Sequence, residues 1–366
     1  MANAAKKEIN PYEKLTVTLN RIPNGFDTSE DGAHLKVLEW IFEPDEAFIA
    51  SKMKLTGESV KKMSKRLKIP EEELAEKLET MKKKGQIRHI TTKKGIKYGL
   101  LPFVVGIYED QLHRMDAEFA EIFEEYVQKT RGEVLFSSNP PIQKVVPIER
   151  AIKTNLVIHP HSKAEDMVRN AKSWEVRECI CRKQQELLGN SCSYPKSVCL
   201  SFSSRENAYK DNPPHSRAVT MQEALDILQE AEEAGLIHST MNIAKGHPYI
   251  CNCCTCCCGI FRSLVEFDHP NAIVNSDYVL KIDDELCTGC GKCIDRCQLN
   301  ALEIIDKKCV VNDRCIGCGV CVIACSKDTL SLIPSKIDKK SKPPRSITTW
   351  MLKRAWKRKV NIAKLL

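Results

Sequence analysis

Residues 287–297 read CTGCGKCIDRC and residues 315–325 read CIGCGVCVIAC. Both space their cysteines C-x2-C-x2-C-x3-C, and every cysteine of the first stretch recurs 28 residues later in the second. Thiols three residues apart on a tight loop can wrap three corners of a cubane iron–sulfur cluster. The fourth, on the following helical turn, points away toward a neighbouring cluster. Gly289, Gly291, Gly317 and Gly319 lie inside these loops, where a missing side chain lets backbone approach sulfide closely. Chance does not produce eight cysteines at a doubled spacing of this kind.

Residues 276–334 resemble a bacterial-type dicluster ferredoxin domain. The resemblance implies a (βαβ)2 fold that passes single electrons. It also implies two [4Fe–4S] clusters, one held by Cys287, Cys290, Cys293 and Cys325 and the other by Cys315, Cys318, Cys321 and Cys297. YVLKID (278–283), ALEIID (301–306), KCVVN (308–312) and LSLIP (330–334) read as the short strands around them. One feature departs from the family. Proline usually follows each fourth cysteine, whereas Gln298 and Ser326 stand here, so the loops and the potentials are expected to differ while ligation is kept. Cys309 lies outside the pattern, on an expected strand, and reads as a small core residue.

At 366 residues the chain has room for two or three domains. Its start, MANAAKKEINPYEKL, has no apolar run of a secretory signal. The longest apolar-rich stretch, GLLPFVVGIY (99–108), is too short to span a bilayer. A cytoplasmic protein with reduced thiols is expected, so its 19 cysteines point to metal rather than disulfides. The net charge of +8 is uneven: Ser335–Leu366 carries 11 Lys and Arg against one acid, and the rest of the chain is slightly negative.

Beyond the repeat and Cys309, ten thiols remain: Cys179, Cys181, Cys192, Cys199, and, within CNCCTCCCG (251–259), Cys251, Cys253, Cys254, Cys256, Cys257 and Cys258. Adjacent cysteines point their side chains apart, which makes a set of local disulfides geometrically poor. Ten thiols could fill two cubanes with two spare, or one cluster plus a zinc. Zinc sites usually present paired C-x2–4-C knuckles. Here C-x-C pairs and a run of three dominate, so iron–sulfur is the favoured reading and zinc the lesser one. The whole arrangement is similar to a group of iron–sulfur proteins from anaerobes. These join a winged-helix-like region to a C-x-C-R … C … P-x-x-x-C segment, a C-N-C-C-x-C-C-C segment and a terminal dicluster ferredoxin. The matching residues are Cys179, Cys181, Arg182, Cys192, Pro195, Cys199 and the run 251–258. That resemblance implies low-potential electron transfer and names no substrate.

The expected class is α+β and multidomain. Residues 1–136 read as a winged-helix-like domain with a following helix, 137–275 as a mainly helical cysteine-rich domain, 276–334 as the dicluster domain, and 335–366 as a basic amphipathic tail helix. Within the first, SVKKMSKRLKIPEEELAEKLETMKKKGQI (59–87) reads as helix, turn at Ile69–Pro70, and helix ending at Gly85. A hairpin with Lys93, Lys94 and Lys97 follows. Glu71, Glu72, Glu73, Glu76 and Glu79 on the second helix would meet DNA phosphates badly, so a structural or partner-docking role is preferred. Residues 107–130 read as one amphipathic helix, 137–150 as an irregular connection, and SKAEDMVRNAKSWEV (162–176) as a helix capped by Ser162. Thr220 and Glu223 form a capping box for a helix that ends at Gly235. On the tail, Leu352, Trp356, Ala363 and Leu366 line one side of a helix behind the spacer KKSKPPR (339–345). Such a helix docks on a protein partner or on this chain itself, or lies on an anionic membrane face, in that order of preference.

No dinucleotide, P-loop or radical-SAM motif is present. His159 and His161 read as solvated rather than ligating. The leading expectation is an electron-transfer protein serving a partner oxidoreductase. The alternatives are a redox-sensing DNA-binding regulator and a reductase with a catalytic cluster among the central cysteines.

Overall fold

The computed structural model describes residues 10–93, 95–152, 163–210, 216–335 and 342–365. Lys94, His159, His161, Ser162, Leu366 and part of the spacer 339–345 lie outside them. The chain is mixed α and β and falls into two compact units. One runs to Leu135 and includes Met351 onward; the other is Phe136–Trp350. No helix among the described residues is long and apolar enough to cross a membrane.

The first unit holds α1 (Pro11–Arg21), α2 (Ala33–Ile41), α3 (Pro44–Ser51), α4 (Val60–Leu67), α5 (Glu71–Lys83), the antiparallel hairpin β1 (Ile87–Thr92) and β2 (Gly95–Leu100), and α6 (Ala117–Thr130). The three glutamates of α5's first turn favour its start, because they face the positive end of the helix dipole. Leu74, Leu78 and Met81 form its buried stripe. The helix expected over 107–130 begins only at Ala117. There the Asp116 carboxylate accepts the Phe119 N–H at 2.9 Å and caps it, and the preceding residues form tight turns. Phe26 anchors the core, 4.7 Å from the Phe103 ring and 5.5 Å from Tyr126.

α7 (Glu133–Ser137) leads into the second unit. Its strands are β3 (Gln143–Val145), β4 (Ser173–Arg177), β5 (Cys199–Ser203), β6 (Ser216–Val219), β7 (Ile237–Met241), β8 (Tyr249–Cys253), β9 (Ile273–Val274), β10 (Tyr278–Ile282), β11 (Leu302–Ile305), β12 (Lys308–Val311) and β13 (Leu330–Pro334). Its helices are α8 (Ala164–Arg169), α9 (Ile180–Leu187), α10 (Met221–Ala234), α11 (Gly259–Val265), α12 (Lys292–Arg296) and α13 (Val320–Ile323). β3 to β9 build a seven-stranded sheet in the order β6-β4-β5-β8-β7-β3-β9, antiparallel except for β3 with β9.

That sheet corrects the mainly helical central region expected from sequence. Short segments such as SWEVR and CLSFS alternate faces, so that Val176, Leu200, Phe202 and Ile250 pack against Val168 of α8 and Ala224 and Leu228 of α10. The helix expected over 162–176 stops at Arg169, and its second half is β4. The connection expected over 137–150 contributes β3. α10 forms as expected, with Thr220 and Glu223 in a reciprocal capping box and Gly235 left-handed after its end. In the ferredoxin-like segment β10 pairs with β13, β11 pairs with β12, and α12 and α13 each follow a cysteine loop.

α14 (Ile347–Lys357) precedes a short turn of helix at Ile362–Leu365. The apolar side named from sequence and one of the tail's cations are placed differently. Leu352 and Trp356 are 52% and 73% exposed, whereas Arg354 is fully buried. Arg354 donates from Nε to the Pro23 carbonyl at 2.7 Å and from Nη2 to Asn24 and Leu135. Arg358 reaches the carbonyl of Ile22 and the Asn20 side chain, both at 2.6 Å. Ile22, Pro23 and Asn24 follow the C-terminal end of α1, where orphan carbonyls and the dipole favour cations. Two of the tail's cations therefore serve the chain's own first unit.

Arg354→Met would bury the carbonyls of Asn24 and Leu135 without this donor and leave that of Pro23 to the long Arg358 contact at 3.5 Å. The expected loss is about 3 kcal/mol, read as a lower midpoint in thermal circular dichroism with iron content unchanged. An unaltered midpoint would contradict the docking described.

Candidate metal centres

The two cysteine loops owe their course to glycines with positive φ, 68° at Gly289 and 66° at Gly317. A Cβ at Gly289 would stand 2.5 Å from the Lys307 carbonyl, and one at Gly317 would stand 2.1 Å from that of Tyr278. Crowding from neighbouring strands and turns thus requires glycine at both. Gly291 and Gly319 occupy the residues just before α12 and α13.

Two cavities lie behind the loops. Cys287, Cys290, Cys293 and Cys325 line one. Cys315, Cys318, Cys321 and Cys297 line the other. Each cavity takes three thiols from one loop and the fourth from the other. The second is walled by Leu280, Leu299, Ile316, Val320 and Leu332; the first also meets Lys292, Lys327 and Thr329. Burial pushes the Cys318 thiol up to about 12 and raises Cys321 too, the neighbouring thiols adding to both. Burial also pushes on Cys325. There the Thr329 hydroxyl, 3.1 Å away, and the amides of Lys327, Thr329 and Leu330 outweigh it and hold the thiol below its usual value. The Ala301 N–H donates to Cys297 Sγ at 3.3 Å, and the Cys309 N–H to Cys287 Sγ at 3.4 Å. Cys309 is a core residue, as expected, but it also lines the first cavity, with its sulfur 3.6 Å from that of Cys293.

Gln298, in the place of the family's proline, has a structural task. Its Oε1 accepts the Thr255 N–H at 2.9 Å, its carbonyl accepts the Thr255 hydroxyl at 3.2 Å, and its Nε2 donates to the Gly235 carbonyl at 2.5 Å. Next to it, Arg296 donates to the carbonyls of Glu232, Glu233 and Ala234 at the end of α10. A proline could make neither side-chain bond. The ferredoxin-like segment is therefore tied to the middle of the CNCCTCCCG turn. Sequence reasoning noted the missing proline but not this pairing, since Thr255 lies 43 residues away.

The ten central thiols divide into two sets. Six line up along the sheet and two helix starts. Cys199 opens β5; Cys251 and Cys253 lie on β8, and the Leu200–Ile250 pairing brings Cys199 beside Cys251. Cys179 and Cys258 precede α9 and α11, and Cys181 lies in α9's first turn. Sulfur contacts run in a chain from Cys199 to Cys179, Cys181, Cys258, Cys253 and Cys251. The thiols of Cys181 and Cys199, followed by the charge of Arg182, hold the Cys179 thiol well below its ordinary range against burial. Gln143 Nε2 lies 3.8 Å from Cys251 Sγ and Ser239 Oγ lies 3.8 Å from Cys253 Sγ.

The other four, Cys192, Cys254, Cys256 and Cys257, have sulfurs that all lie within 4.8 Å of one another. Cys257 Sγ is 3.6 Å from both Cys192 and Cys256. The Cys257 thiol foremost, then the Arg182 charge, bring Cys254 down to about 5 against burial; burial takes Cys256 up to about 12.

Arg182, 2% exposed, serves both sets. It donates from Nη1 to the Pro195 carbonyl and from Nη2 to the Asn252 carbonyl, both at 2.9 Å. Burial alone would lower its pKa, but the sulfurs of Cys179, Cys254, Cys253 and Cys199 raise it well above normal. Sequence reasoning did not single out Asn252. On a strand it faces away from Cys251 and Cys253. There its Oδ1 accepts from His238 Nδ1 at 2.5 Å and its Nδ2 donates to the Val198 carbonyl at 2.6 Å. The one polar residue at an alternate position of a cysteine run was the available signal.

Residues 280–303 match the family described as 4Fe-4S binding domain, a stretch that holds Cys287, Cys290, Cys293 and Cys297. Comparison with curated proteins and with solved structures gave no match. The chain thus carries a 4Fe-4S binding domain together with a separate cysteine-rich region.

Gln298→Ala removes two of the bonds that join these regions. With about 1 kcal/mol lost per bond, hydrogen exchange in a peptide spanning Thr255 should speed up roughly fivefold or more. Iron content should not change. Unaltered exchange would show that the contact does not hold the turn.

Proposed function

We propose that the protein is an electron-transfer protein with two [4Fe–4S] clusters in residues 276–334, of the bacterial dicluster ferredoxin type. It would pass low-potential electrons to a partner oxidoreductase. The observation that carries this reading is the exchange of the fourth cysteine. Cys325 lines the cavity of Cys287, Cys290 and Cys293, and Cys297 lines that of Cys315, Cys318 and Cys321. Such an exchange brings two clusters close and suits stepwise passage of single electrons. The clusters supply the redox chemistry. The chain's own residues supply thiolates, exclude water with Leu280, Ile316 and Leu332, and aim donors at sulfur from Thr329, Ala301 and Cys309. Donors to sulfur favour the more negative, reduced state and so raise the potential.

The central thiols next to this segment offer a continuation of the path, through at least one further metal centre. The helix pair α4–α5 with its hairpin is read as a winged-helix-like module for protein docking. Glu71, Glu72, Glu73 and Glu76 are exposed on α5, a surface that repels phosphate. This favours a protein partner over DNA. Reduced thiols in this number suit a reducing compartment, and cluster chemistry of this kind suits an anaerobe.

Iron and sulfide assays with EPR on anaerobically purified, reduced protein test the reading. At least about eight irons per chain and two magnetically coupled clusters are expected. Cys297→Ala should remove about four irons and leave one uncoupled signal. Colourless wild-type protein would overturn the reading. Thr329→Val, which deletes the hydroxyl beside Cys325, should lower one cluster's potential by something on the order of 50 mV, measured by redox titration.

A further inference from the structure

We infer that Cys192, Cys254, Cys256 and Cys257 form a mononuclear tetrathiolate site for one zinc ion, separate from the six other central thiols. The inference rests on the iron–sulfur reading only for its surroundings. It reverses the expected order of preference, in which clusters claimed these ligands ahead of zinc.

Sulfur spacing carries the argument. A tetrahedral ion with metal–sulfur bonds of about 2.3 Å sets its four sulfurs about 3.8 Å apart. Cys257 Sγ lies 3.6 Å from both Cys192 and Cys256, and all four sulfurs lie within 4.8 Å of one another. A cubane interposes its own irons and sulfides between the thiolates, so its ligands stand farther apart. The ferredoxin-like loops show that wider arrangement. Among the described residues, no three of their thiols approach one another so closely, and neither do any three of the six along the sheet. The same chain thus presents two kinds of thiol set, one open and one closed on a single-ion radius.

The donor set agrees with a structural ion. It contains four sulfurs and leaves no position open for substrate, the closed pattern of structural zinc. Zinc with four thiolates carries two negative charges, and the buried guanidinium of Arg182 offsets one. Arg182 also grips both ligand-bearing segments, the Cys192 loop through Pro195 and the Cys254 turn through Asn252. Partners of this kind orient the ligands of metal sites. Val198, Ala231 and Leu236 pack behind Cys254 and Cys257. The Cys192 loop lies between α9 and β5, outside any strand or helix, and the ion would staple it to the turn. Thr255, inside that turn, is the residue that receives Gln298. The zinc therefore holds the joint between the ferredoxin-like segment and the six-thiol strip, and takes no part in redox.

Metal analysis of full-length, anaerobically purified protein tests this. Zinc, iron and sulfide are measured in wild type and in Cys256→Ser and Cys192→Ser. Cys256 is exposed, so its exchange for serine perturbs packing least. About one zinc per chain is expected in wild type. It should fall at least about fivefold in both variants, with iron, sulfide and the reduced EPR spectrum unchanged. As a second readout, cobalt added to zinc-depleted protein should give the visible bands of a tetrahedral tetrathiolate. These bands should be lost in Cys256→Ser and kept in Cys199→Ser. A wild type without zinc whose variants lose iron and sulfide together would overturn the inference in favour of a cluster. Loss of a single iron without sulfide would overturn it in favour of mononuclear iron. A wild type that keeps zinc but lacks iron and sulfide supports the zinc site and sinks the electron-transfer reading alone.

Discussion

A thiolate enters a protein interior only against its own desolvation, and this chain gathers eighteen ligand candidates in one unit. Burial drives many of the thiols upward: Cys318 and Cys256 go to about 12 and Cys321 rises with them, while Cys253 and Cys258 are raised by neighbouring thiols together with burial. Without cationic charge such groups stay protonated and bind nothing. Metal supplies most of that charge on loading, with release of protons. The protein supplies one buried cation, Arg182, where the two central sets meet. Among the central thiols, Cys179 and Cys254 are drawn downward, by neighbouring thiols first and then by Arg182. The architecture around this arginine, with carbonyls of Pro195 and Asn252 fixing its two nitrogens, follows from the need to keep it in place.

The same constraint explains what was legible in the sequence. The doubled cysteine spacing needs no tertiary information: local loops wrap three thiols, and the strands expected at 278–283, 301–306, 308–312 and 330–334 formed with little change. The capping box at Thr220 and Glu223 is equally local. What failed depended on partners distant in the chain. Residues 162–176 have enough helical character to suggest one helix. β4 arises because Val176 finds Leu200 across the strand pair and Ala224 behind it, and no window of local sequence contains those residues. The central sheet was missed for that reason. The thiol run concealed it further, since YICNC reads as metal chemistry before it reads as a strand.

The division of the ten central thiols was beyond sequence for a related reason. A strand sends alternate residues to opposite faces, so Cys251 and Cys253 part from Asn252 and join Cys199 on the neighbouring strand. The turn after Cys253 breaks that period. It turns Cys254, Cys256 and Cys257 toward Cys192 and leaves Cys258 to rejoin the strip at the start of α11. The sequence could not divide the six thiols of residues 251–258 among separate centres. The change from strand to turn at residue 254 divides them three and three.

The basic tail divides its cations between the fold and the surface. A surplus of cations with tryptophan and leucine on one side suggests docking on a protein partner, on this chain itself or on an anionic membrane. Arg354 and Arg358 are spent on the Ile22, Pro23, Asn24 and Leu135 carbonyls and the Asn20 side chain, because guanidinium offers several donors in a fixed fork and matches clustered carbonyls better than ammonium does. The lysines Lys353, Lys357 and Lys359 lie on the same short segment but take no part in those bonds. Arginine and lysine on one short segment thus divide the work. The arginines at i and i+4 bind the fold, and the remaining charge is left at the surface.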